Sequence, residues 1–140
     1  WYPVEGSLER IAPDAMVAFG RPKGNRMNYL QWEEGGTAPQ VVFEGLSDDD
    51  PPGRHDWQAA FYDRYGVEEF YEYDPIRRAA AVRLRTGGAL GPRVPVDGFT
   101  SPRLGVRFEA PPAAALRLIR PNGTAFGSLL DLVGGGPLAG

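Results

Sequence analysis

Two carboxylates stand in apolar surroundings. Asp14 follows Pro13 at the head of Ala15-Met16-Val17-Ala18-Phe19, and Glu44 interrupts the run Val41-Val42-Phe43-Glu44-Gly45-Leu46. A carboxylate withdrawn from water must be neutralised, paired with a cation or bound to a metal. On neighbouring strands, two such acids would offer oxygen ligands to a hard divalent cation. The competing reading of Asp14 is a turn cap or an arginine pair, and that of Glu44 is a buried pair with one of the 14 arginines. The chain has no cysteine and a single histidine, His55. Cysteine-based zinc sites, thiol catalysis and multi-histidine metal centres are therefore excluded, and a Ser-His-Asp triad is open only through His55. Any metal would be held mainly by Asp, Glu and backbone oxygen, which favours Mg²⁺ or Mn²⁺ over zinc.

The remaining candidates have simpler readings. Lys23, the only lysine, lies on the glycine-flanked loop 20–26 and reads as a solvated charge, unless that loop folds over the acids. His55 reads as a solvated residue near a helix start, with a proton shuttle as its functional alternative. Asp48-Asp49-Asp50 lacks the spacing and closing Glu of a calcium loop and suits the approach to a helix N-terminus. Ser47 reads as a cap for that loop, with a hydrogen bond near the acids as its functional alternative. Arg77, Arg78, Arg83 and Arg85 are open to phosphate contacts or to a solvated sheet edge.

The elements that must position these groups follow from periodicity and breakers. Strands are expected over 12–19, 39–46, 67–73 and 79–85, with further strands over 104–109 and 116–120. Residues 29–34 suggest one helical turn. The best helix is 56–65, where Trp57, Phe61 and Tyr65 recur at i, i+4 and i+8, Trp57 and Phe61 are expected in the core, and Gly66 can close the end. The loop Ser47-Asp48-Asp49-Asp50-Pro51-Pro52-Gly53 offers N-capping residues. A short helix is expected over 128–133, then a flexible Gly-rich tail over 134–140. The order gives one mixed α/β domain over residues 1–133 with a central sheet.

The chain has 140 residues, a net charge of −3 and a pI near 5.2, which lowers the expectation of tight DNA binding except through a local Arg cluster. No apolar stretch is long enough to span a bilayer and no leader is visible, so a cytoplasmic location is expected.

The stretch from Ala12-Pro13-Asp14 to Asp74-Pro75 resembles the Uma-type family of bacterial restriction endonucleases, long described as a domain of unknown function. The matching words are Pro13-Asp14 with its apolar run, Phe19-Gly20-Arg21-Pro22-Lys23-Gly24, Gln31-Trp32-Glu33-Glu34-Gly35 and Ala38-Pro39-Gln40-Val41-Val42-Phe43-Glu44. They continue through Leu46-Ser47 and Phe61-Tyr62-Asp63-Arg64-Tyr65-Gly66-Val67-Glu68-Glu69 to Ser101-Pro102-Arg103-Leu104-Gly105. The resemblance implies a PD-(D/E)xK, restriction-endonuclease-like fold with a mixed central sheet and flanking helices, and a Mg²⁺-dependent activity on DNA. It assigns the metal to Asp14 and Glu44. The usual lysine position, two residues after the Glu, is Leu46. The alternative family position on the following helix is Gln58, which carries no charge, so a weak or inactive nuclease or a non-catalytic DNA-binding or interaction module is the expectation. A homodimer would suit cleavage of both strands. Members carry a helical segment ahead of the Pro-Asp strand, so the chain reads as truncated at its start.

Overall fold

The computed structural model describes residues 1–111 and 114–126; the expected 128–133 helix and 134–140 tail lie outside them. The α/β class with a mixed central sheet holds. The elements are β1 (Ala15–Val17), a 3₁₀ turn (Gln31–Glu33), β2 (Val41–Gly45), α1 (Arg54–Arg64), β3 (Glu69–Asp74), β4 (Ala79–Thr86), β5 (Ala89–Leu90), β6 (Val94–Pro95), β7 (Arg107–Glu109) and β8 (Arg117–Ile119). The main sheet runs β1-β2-β3-β4-β5, with β6 also on β4; β7 and β8 form a separate antiparallel pair. β2 and β3 are parallel and joined through α1, while the other pairings are antiparallel.

Alternation along β2 and β3 sorts the core into two layers. Val41, Phe43 and Tyr71 pack with Val82, Val106, Phe108 and Leu118 against the β7–β8 pair. Val42 and Phe70 pack with Phe61, Tyr62, Val67 and Trp1 against α1 and the N-terminal segment. Among the described residues α1 is the one α-helix, so a β-pair, not a second helix, covers the other face. Glu44 follows the parity of Val42 and falls on the α1 face.

Three expectations about α1 need correction. Its N-cap is Gly53, in the left-handed region at φ 80°, with no side-chain cap. Pro51 and Pro52 separate the aspartates from the helix, and Asp50 accepts a hydrogen bond from the Ser47 N–H at 2.9 Å instead. Trp57 is not core: it is 53% exposed, and the buried stripe is Gln58, Phe61 and Tyr62, turned one residue from the apolar spacing. His55 is not simply solvated. Its Nε2 lies 3.1 Å from Asp50 and its Nδ1 3.3 Å from the Gln58 amide oxygen. The C-terminal end is as expected. Gly66 takes φ 88° and the Val67 N–H reaches back to the Tyr62 carbonyl at 3.1 Å, the geometry of a Schellman close.

The β4 arginines do not line a sheet edge, because β4 is paired on both sides. Arg85 donates to the backbone carbonyls of Val67, Tyr62, Asp63 and Gly88, stapling the end of α1 to the sheet. Arg77 pairs with Asp74 and Asp48.

Candidate functional site

The antiparallel register of β1 and β2 matches Ala15 with Phe43, so one step further Asp14 falls opposite Glu44. The two acids are locked by reciprocal backbone bonds. The Asp14 N–H donates to Glu44 Oε1 at 2.7 Å, and the Gly45 N–H donates to Asp14 Oδ2 at 2.7 Å. The Gln58 amide, from the buried stripe of α1, donates to Glu44 Oε2 and is itself 4% exposed. The structure thus brings together all three residues singled out from the sequence: Asp14, Glu44 and Gln58.

Glu44 is 4% exposed and makes no ion pair among the described residues. Burial pushes its carboxyl up to about 7; the Asp14 charge adds to that, while the Asp14 N–H, the positive charge of Arg54 and the approach of the Tyr62 hydroxyl oppose it. A carboxyl poised near neutrality changes charge in the range where enzymes operate. Two neighbours were not legible in the sequence. Tyr62 is fully buried, and its hydroxyl senses the charges of Glu44 and Asp14. It makes no hydrogen bond of ordinary geometry among the described residues. Arg54 stands four residues before Gln58 on α1, one turn away on the same helix face. The signal for Arg54 was its i−4 spacing from Gln58; Tyr62 carried none beyond its place in the aromatic run.

Asp14 also lines an open groove of about 1230 Å³. One wall is β1, the edge of the sheet among the described residues, and another is the start of α1, with Arg54 and Trp57. The third is the loop after β1, where Arg21 and Arg26 both pair with Glu34 and Arg26 also donates to the Pro22 carbonyl at 2.7 Å. That bracing holds Lys23 in the lining. The ionisable side chains along the groove are Arg10, Arg21, Lys23, Arg26 and Arg54 against Asp14 alone, apart from Tyr2 and Tyr29. A chain of net charge −3 therefore has a locally basic groove beside its carboxylate pair.

The donor set suits a hard cation in one specific way. Among the described residues, no group of three or more His, Cys, Asp or Glu is placed to hold a metal. Mg²⁺, however, is commonly held by one or two carboxylates and keeps several waters. Asp14 and Glu44 supply that number, and each carboxylate oxygen that accepts one N–H retains a second lone pair. The fit is thus to a solvated Mg²⁺ or Mn²⁺, and not to a caged ion. Among the described residues no helix is long and apolar enough to cross a membrane. No family model matches this chain, and no curated protein matches it either.

Proposed function

We propose that this protein is a Mg²⁺- or Mn²⁺-dependent hydrolase of nucleic-acid phosphodiester bonds, built on a restriction-endonuclease-like version of its mixed α/β sheet. The observation that carries this reading is the Asp14–Glu44 pair on adjacent strands, opening through Asp14 onto a groove with five cationic side chains. Bound there, the metal would polarise phosphorus and acidify a water. The protein's own residues do the rest. Asp14 and Glu44 hold the ion, Gln58 fixes Glu44 Oε2, and the groove cations draw in the phosphate backbone. Binding would require Glu44 as the anion, so it would release a proton below about pH 7. Gln58 brings no positive charge to the developing phosphorane. Arg54, one turn earlier, is the nearest candidate on α1 for that role. Cleavage of both strands would call for a homodimer with two such sites, working on DNA in the cytoplasm.

The second reading is a non-catalytic module on the same fold that binds DNA, and the uncharged Gln58 favours it. Incubation of supercoiled plasmid with Mg²⁺ or Mn²⁺ separates the two. In the nuclease reading the native chain nicks, Glu44→Ala abolishes the nicking, and Gln58→Lys, which adds the missing electrostatic donor, nicks faster by roughly two to three decades. Silence from the native chain and from Gln58→Lys alike would leave only the module.

A further inference from the structure

The groove has features that the carboxylate chemistry does not use. Trp57 is 53% exposed, although it adjoins the buried stripe of α1. Its indole is braced against Phe61, with ring centroids 5.6 Å apart, and Phe61 is itself buried. A large ring lying at the surface of a lined groove and backed by a buried ring offers a stacking platform. Two of the groove's cations, Lys23 and Arg54, have no side-chain hydrogen bond or ion pair among the described residues, whereas Arg21 and Arg26 are committed to Glu34. The volume, about 1230 Å³, exceeds that of pockets that enclose a small ligand, so an extended polymer fits better.

We propose that this groove binds single-stranded nucleic acid, with one base stacked on Trp57 and the flanking phosphates on Lys23 and Arg54. An exposed ring can stack only on a base whose face is free, and a duplex does not offer one. An acidic peptide would satisfy the two cations and leave Trp57 without a purpose. The proposal rests on the same groove as the nuclease reading and narrows it to a strand that is unpaired where it enters the groove; it does not require cleavage.

The test is an anisotropy titration of a labelled 16-nucleotide oligothymidylate in EDTA, beside a fully paired two-strand duplex of the same length and polyglutamate. The native chain should prefer the single strand, and binding should quench the emission of Trp57, the one strongly exposed tryptophan among Trp1, Trp32 and Trp57. Trp57→Leu should weaken binding roughly 5- to 150-fold and Trp57→Phe should restore most of it. Lys23→Gln should flatten the salt dependence by about 0.7 in the log–log slope. Equal or tighter binding of the duplex or of polyglutamate would overturn the proposal. So would unquenched emission, or a Trp57→Leu protein that melts like the native chain and binds as well. Because the titration contains no metal, binding without plasmid nicking removes only the nuclease reading. Nicking without single-strand preference removes only this one.

Discussion

Glu44 and Glu72 sit side by side in the β2–β3 register, on the same face of the sheet and almost equally buried, at 4% and 3% exposure. Their neutralisation differs completely. Glu72 receives a fork from Arg93, with Nε to Oε1 at 3.0 Å and one terminal nitrogen to Oε2 at 3.1 Å, and Arg83 approaches to 3.8 Å. Glu44 receives only neutral donors, from the Asp14 backbone and Gln58, and has a second acid beside it. A third buried acid, Glu69, also takes neutral donors, from Tyr71, Ser101 and the Arg103 N–H, and ties residues 101–103 to the sheet. Glu72 is closed off by arginine, whereas Glu44 is kept short of positive charge within a few ångströms of a basic groove. That contrast leaves Glu44, and not Glu72, as the buried acid of the pair without a cationic partner among the described residues.

The sharpest break of the comparison is removal of the acid at each position. Glu72→Ala leaves Arg83 and Arg93 without their anion. Losing one partner of a buried pair costs about 3–5 kcal/mol, and the 49% exposure of Arg93 places the loss near the lower end, at about 3 kcal/mol. Urea melts should record this as a lower midpoint. Glu44→Gln should do the opposite at pH 8. Gln58 can turn its amide to present oxygen to the new Nε2, and the buried charge disappears.

The pH dependence sharpens the same point. The Glu44 carboxyl rises from 4.5 unfolded to about 7 folded. Between those values the folded chain binds the extra proton, so this group's contribution is greatest below pH 4.5 and is lost as pH rises through 7. The difference is about 3 kcal/mol. Glu34, Glu68 and Asp74 are held low by arginines and act in the reverse direction, so the effect is read as native minus Glu44→Gln. That difference curve should fall between pH 4.5 and 7 and then level off. A flat curve would mean that Glu44 is no more burdened than Glu72.

Much of this was legible because an acid inside an apolar strand is visible locally. Asp14 and Glu44 carried that signal; periodicity put each on a strand, and the resemblance implied that the two strands are neighbours. Glu72, within Phe70-Tyr71-Glu72-Tyr73, carried the same signal and was passed over. Its partner Arg93 lies 21 residues further on, beyond any local pattern. Trp57 misled because its spacing to Phe61 and Tyr65 imitates a core stripe. Only the tertiary contact with Glu44 draws the polar Gln58 inward and turns Trp57 outward. The helix cap failed for a covalent reason, since two prolines hold the aspartates away from α1. β5 and β6, two residues each, are defined by pairing to β4 and have no period of their own.

The smallest effect tests how Glu44 is left uncompensated. Tyr62 places a hydroxyl near that carboxylate, fully buried and without a hydrogen bond of ordinary geometry among the described residues. If that hydroxyl bonded to Glu44, Tyr62→Phe would remove a charge-assisted bond worth about 1.5–3 kcal/mol. An orphan hydroxyl behaves differently, because the buried oxygen carries a desolvation cost that the phenyl ring does not. The stacking on Trp1 at 6.3 Å and the edge contact with Phe70 at 4.9 Å survive the substitution. Tyr62→Phe should therefore be neutral or stabilising by up to about 1 kcal/mol at pH 8. A loss above about 1.5 kcal/mol in the same urea melts would show that Glu44, like Glu69, is neutralised by a tyrosine, and the contrast with its neighbours would narrow to Glu72 alone.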